Sequence, residues 1–510
     1  MERYDAVIIG AGADGLIAAH KLASAGLKVL VVERQKTAGG CAQTREFHSG
    51  FMASPYADEL APIPSKIFRQ MDLPRHGAIF MPAPASTCLS AAGTSVIYGD
   101  EARMARVAGK SGPALVELFR ELNRTRAAIA ERAGEVQPRS FLRLARLNPL
   151  WPRPQRRPWP GEVWGRSSLA DALNARLPDS NISLHLAAHV LSGSAASPTL
   201  MGTALHLLRG LKGSGQPRGG LGSLAGALEK AARTAGAEIR LQAEVSDIRL
   251  VKGTTSTLVL SGGEEISCRA MISTLDLKTT FLDLVAWSDL PPIFAKRVTQ
   301  FRMTGARARV LFALDALPEF DFAQKAREAA LGPIHITQSL TSLSQIHDKW
   351  RAGMLAEQLP VTLRVPSLID PSLAPIGKAV MTATICGVPS TLADGDWNAD
   401  KRAILTKIAL SAAERAAPGI AGRVIAAKTI VAKDFETELG WSAGDAEGGE
   451  LTPDQALGFR PFPEWQDGRT ALRGLYLGGP SAAPSPFFLG AGGAHAAAHL
   501  MADLKSRALR

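Results

Sequence analysis

What this 510-residue chain has little of narrows it first. It has four cysteines, Cys41, Cys88, Cys268 and Cys386, far apart and without a C-x-x-C pair. That pattern suggests neither a disulfide framework nor a zinc site, and it fits a reducing compartment. No run approaches the roughly 18–20 consecutive apolar residues that span a bilayer. The first strand pattern begins almost at Met1, so no cleaved signal peptide is expected there and the expected location is cytoplasmic. Tyrosine is scarce, with four in the whole chain. No Ser-His-Asp set, paired carboxylates or metal-ligand spacing stands out: His185, His189 and His206 have no useful metal spacing and read as helix-surface or core histidines. His335, in GPIHITQ, could accept a proton but reads first as a structural strand histidine. No catalytic residue and no metal is assigned.

What is present begins in the first forty-four residues. Ala6-Val7-Ile8-Ile9 reads as a buried strand, Gly10-Ala11-Gly12-Ala13-Asp14-Gly15 as a turn, and Leu16, Ala19, Leu22 and Ala23 as one face of a helix. Gly26 ends that helix, and Val29 to Val32 is a second buried strand leading to Glu33. This is a βαβ unit with a G-x-G-x-x-G turn. Gly10 allows the tight turn, Gly12 lets backbone approach a pyrophosphate, and Gly15 permits close helix–strand packing. Bare N–H groups at the helix start suit phosphate. An acid at Glu33 suits the hydroxyls of an unphosphorylated ribose, so FAD or NAD rather than NADP. The glycine pair Gly39-Gly40 follows the acid, and this order favours FAD.

Length and composition predict two intertwined domains in a globular chain. A second glycine turn (Gly219, Gly220, Gly222) opens a helix followed by strand patterns from Glu238 to Ile272, as if the nucleotide domain resumed. Residues 300–385 alternate as strands of a largely antiparallel second sheet. Residues 101–134, 168–212 and 400–416 read as helical. Leu475 to Leu477 is a strand ending in glycines, and Gly490-Ala491-Gly492-Gly493 opens an alanine-rich helix. Pro138 to Arg166 concentrates arginine with Trp151, Trp159 and Trp164. It is expected to touch a membrane surface, arginines at phosphates and tryptophans at headgroup depth, with a solvated loop as the competing reading. Nucleic-acid binding has no other support.

With three separated cofactor-like segments, the chain resembles the phytoene-desaturase-like branch of FAD-dependent oxidoreductases. The similar pieces include ERQKTAGG, GGLGSLAGALEKAARTAGAEI, STLDLKTTFLDLV, PSLIDPSLAPIGKAVM and LGAGGAHAA. The resemblance implies an α/β glutathione-reductase-type FAD-binding Rossmann domain, residues 1–75, 216–285 and 440–510. It is interleaved with a substrate domain of mixed or antiparallel sheet plus helices, residues 76–215 and 286–439. It assigns Gly10, Ala11, Gly12, Asp14 and Gly15 to the diphosphate, with Glu33 and Arg34 at the adenosine ribose. Gly39, Gly40 and Cys41 lie nearby, and Val245 presents backbone to adenine. Gly479, Gly490, Ala491 and Gly492 are placed facing the diphosphate and flavin ring, where a helix N-terminus would stabilise reduced flavin. The implied activity is desaturation or dehydrogenation of a largely apolar small molecule in a deep apolar pocket, with oxygen or a quinone as acceptor. A flavin amine oxidase and a non-catalytic flavin- or lipid-binding carrier are the alternatives. The chain departs from the branch at Ala483 to Phe487, where relatives carry a His-Pro-Gly-Gly-Gly run, and at Glu447-Gly448-Gly449-Glu450.

Overall fold

The computed structural model describes residues 3–136, 158–210, 215–251, 253–324 and 326–506. Two seven-stranded sheets organise it. The first is built on the strand Arg3–Ile9, which pairs in parallel with Val29–Val32 on one side and Glu265–Ser273 on the other. Glu238–Arg240 extends it in parallel beyond Val29–Val32, and Leu475–Leu477 pairs in parallel with Glu265–Ser273. Thr254–Leu260 and Val245–Val251 continue the other edge in antiparallel fashion. Val29–Val32 is buried at every position, as expected of a parallel strand covered on both faces.

One face of this sheet is covered by the helices Ala13–Ala23, Leu221–Thr234 and Ala491–Lys505, through small and branched residues such as Leu16, Ala19, Leu228 and Ala497. The other face packs on Phe281, Phe294 and Phe301. The three helices come from chain segments far apart in sequence, so the sheet is assembled from the beginning, middle and end of the chain.

The second sheet runs in the order Val424–Ile430, Arg307–Leu314, Ala379–Cys386, Val361–Arg364, Ile334–Ile336, Ala85–Ser90, Gly93–Tyr98. All its pairs are antiparallel except Ile334–Ile336 with Ala85–Ser90. Its central strand Ala379–Cys386 is buried at every residue, between the helix Ala399–Ala416 and the 51–56 segment.

Two expectations are corrected. Residues 168–212 are not continuously α-helical: the α-helices are Leu169–Asn174 and Ser180–Val190, and Thr203–Arg209 is a 3-10 turn. Gly202, at φ 90°, precedes that turn in a left-handed conformation that would break an α-helix. Most of the basic stretch, 137–157, lies outside the described residues, Trp151 included. Trp159 and Trp164 lie inside them, and neither sits at a surface. Both are 4% exposed and pack with the helix Gly112–Gly134, and the Trp159 indole N–H donates to Gln466 Oε1 at 2.6 Å. Two of the three tryptophans are therefore core residues, not headgroup anchors.

Candidate active site

A cavity of about 760 Å³ runs between the two sheets. One end of its wall is backbone. Gly10, Gly12 and Asp14 meet Gly39, Gly40 and Cys41 there, and a β-bridge joins Gly12 to Gly39. A Cβ on Gly15 would lie 2.0 Å from Gly10 O, so only glycine lets the helix start this close to the strand end. Gly12 differs. No atom lies within 4 Å of where its Cβ would stand, so its bare face looks into open cavity. A Cβ on Gly40 would stand 3.3 Å from Gly12 Cα. This bare backbone rim at a helix N-terminus fits a diphosphate.

Glu33, 9% exposed, stands beside the rim. Its Oε2 accepts from the Ala11 N–H at 2.8 Å and its Oε1 from the Gln35 N–H at 2.9 Å, which fixes the carboxylate while it still faces the cavity. Arg34 donates to Thr437 O at 3.3 Å and faces Glu244 at 3.9 Å; Val245 follows in the same wall. Glycine rim, fixed acid and strand wall together fit the diphosphate, ribose and adenine of FAD.

Asp14 lines this end too, and its Oδ1 accepts the Gly493 N–H at 2.9 Å. Burial pushes its carboxyl up to about 7, against the opposing pull of the Gly493 and Gly492 N–H groups. The bare start of the last helix is thus engaged by a side chain of the first.

The structure brings Gly10, Gly12, Asp14, Glu33, Arg34, Gly39, Gly40, Cys41 and Val245 together on the cavity wall. Ala11 and Gly15 sit behind it as packing and hydrogen-bonding residues. Gly479, Gly490, Ala491 and Gly492 differ from expectation, since they do not reach the wall. Their glycines serve close packing: a Cβ on Gly490 would lie 1.9 Å from Ile17 Cδ1, on Gly479 2.3 Å from Thr274 O, and on Gly492 3.0 Å from Gly478 O. The wall there is formed by the preceding loop, through Pro480, Ser485, Pro486, Phe488 and Leu489.

The other end of the cavity also departs from expectation, because it is charged. Arg309, 1% exposed, is gripped by Asp58 at 2.5 and 2.6 Å and donates to the carbonyls of Ser54 and Pro55. Asp58 also accepts from Thr382 and Thr384, and the Arg309 and Arg364 guanidiniums hold it well below the usual carboxylate range against the burial penalty. Arg364 pairs with Glu59, and Arg209 with Glu447. Arg307 lines the same space.

Beside these charges lies a histidine chain. His335 Nε2 is 3.2 Å from His189 Nδ1, His335 Nδ1 is 3.0 Å from Thr362 Oγ1, and Ser86 Oγ links His189 to His185. Burial pushes His185 down to about 3, with His189 adding to the effect. It lowers His189 as well and drives His335 well below the ordinary value. All three are neutral imidazoles at pH 7. His189, read from sequence as a helix-surface or core histidine, and His335, read first as a structural strand histidine, are neighbours on the cavity wall. The four-residue spacing of His185 and His189 on one helix, and the Arg-x-Arg of Arg307 and Arg309 on one strand face, were the signals available. Among the described residues no cluster of His, Cys, Asp and Glu is arranged to hold a metal, and no helix is long and apolar enough to cross a membrane.

Residues 15–281, more than half the chain, match the family described as flavin containing amine oxidoreductase. The chain is 28% identical to rat pyridine nucleotide-disulfide oxidoreductase domain-containing protein 2, over 99% of this chain and 94% of that protein. It is 25% identical to the lycopene-forming phytoene desaturase of Pantoea ananas, over 97% and 98%. A solved putrescine oxidase superposes with a TM-score of 0.62 at 15% identity, covering 99% of this chain and 100% of that one; it shares the fold. Rim, acid and two-sheet cavity agree with these findings: the chain belongs to the flavin containing amine oxidoreductase family and is an FAD-dependent oxidoreductase of the phytoene-desaturase-like type.

Proposed function

We propose that the chain dehydrogenates or desaturates a small molecule with a largely apolar body, held in the cavity between the two sheets. When bound, FAD would supply the two-electron acceptor for a hydride from the substrate carbon, with a proton lost from the neighbouring atom as the double bond forms. The chain supplies the rest. The proposed FAD domain comprises residues 1–75, 216–285 and 440–510, and the proposed substrate domain residues 76–215 and 286–439. Gly10, Gly12 and Asp14 with Gly39 and Gly40 receive the diphosphate, Glu33 and Arg34 the ribose, and Val245 the adenine. Cys41 borders the passage from this end to the charged end. Burial pushes its thiol up, so it acts as a neutral wall residue and not as a nucleophile. The second sheet and the 480–489 loop wall the cavity, so that a substrate carbon is held by contact. Oxygen or a quinone is the proposed final acceptor.

The single observation that carries this reading is the bare Gly12 face opening into a cavity that continues past Glu33 to the second sheet. The test is to purify the protein, record absorbance between about 350 and 500 nm, release the cofactor with acid, and follow bleaching when candidate substrates are added without oxygen. A colourless protein that ignores added FAD would sink the proposal.

For the basic stretch 138–166 we keep the proposal of a reversible contact with an anionic membrane surface, resting now on its arginines alone. Liposome flotation decides it, comparing wild type with a variant carrying Gln at Arg143, Arg146, Arg153, Arg156 and Arg157; equal flotation of both would end it.

A further inference from the structure

Four arginines line the charged end of the cavity: Arg209, Arg307, Arg309 and Arg364. Three have carboxylate partners, respectively Glu447 for Arg209, Asp58 for Arg309 and Glu59 for Arg364. Arg307 has none among the described residues. Its Nη2 donates to Tyr56 O at 3.1 Å, and its guanidinium lies 5.7 Å from the Phe435 ring and 6.0 Å from that of Trp441. Its Nε is buried without an acceptor.

The carboxylates that act on Arg307 from nearby, Asp58 and Asp445, do so without forming an ion pair with it. Asp58 is taken up by Arg309, Thr382 and Thr384. Asp445 accepts the N–H groups of Glu447 and Gly449, and burial pushes its carboxyl up to about 7. The thiols of Cys41 and Cys386 are pushed up by burial and stay neutral. A guanidinium cannot shed its proton to escape this setting, and a half-buried cation without a paired counter-charge carries a desolvation cost. Its place matters as well. Arg307 belongs to the wall of the main cavity and to that of a second one of about 120 Å³, and Gly193, Ala446 and Glu447 are likewise shared. It stands where the two join, on the second sheet, across from the glycine rim proposed for the diphosphate. Gly193 has no side chain to cover it; a Cβ there would lie 3.4 Å from Arg307 Nη1.

We infer that Arg307 receives the carboxylate of the substrate, so that the molecule oxidised is an organic acid with an apolar body and not an amine. This rests on the proposed dehydrogenase reading and adds the substrate class to it. The Nη edge left over from the Tyr56 bond offers a planar fork to a monoanion, the match that guanidinium makes best. A protonated amine would meet an unpaired positive charge in the same place and be repelled. The apolar body extends from that anchor into either cavity, which leaves its oxidisable carbon within the walled space.

The test uses the whole protein and three probes of one chain length, octanoate, 1-octanol and octylamine, titrated by calorimetry with FAD content measured in each sample. Wild type is expected to bind octanoate at least tenfold more tightly than octylamine. Arg307→Gln should lose tenfold or more for octanoate, change less than twofold for octanol, and keep its FAD; the expected loss is that of one charge-assisted hydrogen-bond set. Arg307→Lys, which keeps the charge without the fork, should lose about three- to tenfold and covers the case in which the Gln variant does not fold. Equal binding of the three probes by wild type, or unchanged octanoate affinity in both variants, overturns the inference. So does loss of FAD with octanoate binding retained, which would assign Arg307 to the cofactor. A wild type that binds octanoate selectively but never FAD would instead overturn the dehydrogenase reading and leave the carboxylate site standing.

Discussion

The two ends of the cavity are made of different materials. The end at Gly10 to Cys41 is backbone: glycines, a β-bridge and a helix start, with Glu33 and Asp14 pinned by main-chain N–H groups. The end at Arg209, Arg307, Arg309 and Arg364 is side chain, with every charge but one matched by a carboxylate from another segment. A backbone site tolerates no added atoms but is indifferent to most neighbours. A side-chain site tolerates small shape changes but fails when one partner is withdrawn.

Breaking each end in its own way gives the largest effects. Gly12→Val fills the open face of the rim and should abolish FAD retention altogether, read as loss of flavin absorbance in a folded protein by circular dichroism. Gly15→Ala should go further and destabilise the fold, because its methyl has nowhere to go beside Gly10 O. At the other end, Asp58→Asn strands the Arg309 guanidinium in the core and should cost about 3–5 kcal/mol, measured by denaturant unfolding. Replacing both by apolar residues, Asp58→Leu with Arg309→Met, should cost less than the single change. A double variant worse than Asp58→Asn would mean that the pair adds net stability.

A subtler effect sharpens the contrast, because it places a titrating side chain inside the backbone end. The Asp14 carboxyl is pushed up to about 7, above its ordinary value near 4, so the folded chain holds that proton more tightly than the unfolded one. Its contribution to stability is therefore fully present below about pH 4 and drains away as pH rises to about 7. Wild type minus Asp14→Asn, compared by thermal unfolding of the FAD-free protein from pH 4 to 8, should show that decline; a flat difference would refute it. The smallest effect is expected at Trp159. Trp159→Phe removes one hydrogen bond to Gln466 and part of a packed ring, about 1–2 kcal/mol, with no change in liposome binding.

The same contrast explains what could be read in the sequence. A backbone site is written in contiguous residues, because glycine spacing, strand and acid must follow one another along the chain; Gly10, Gly12, Glu33, Gly39 and Gly40, singled out by that order, line the cavity wall, as do Asp14, Arg34, Cys41 and Val245, which the resemblance pointed to. The glycines at 479, 490 and 492 belong to the same residue type but solve a packing problem, and sequence carries no mark separating a glycine that clears space for a ligand from one that clears space for Ile17. The charged end draws on residues 58, 59, 189, 209, 307, 309, 335, 364 and 447, and the few signals in these segments, such as His335, the Arg-x-Arg of Arg307 and Arg309, and the departure at Glu447, do not point to one another. Their meaning depends on the order of strands in the second sheet, which local pattern does not fix. The tryptophans failed for a related reason: composition located Trp159 and Trp164 in a basic stretch, while tertiary packing decided which way they point.

The bond from the Gly493 N–H to Asp14 joins positions 479 residues apart. Lys21 Nζ repeats the link at Ala494 O, and Leu475–Leu477, which precedes the last helix, pairs beside Glu265–Ser273. The glycine rim is therefore braced by a contact that spans 479 residues, and closing so long a loop costs chain entropy that grows only slowly with its length. Flavin retention is thus expected to report whether the helix Ala491–Lys505 has docked on the helix Ala13–Ala23.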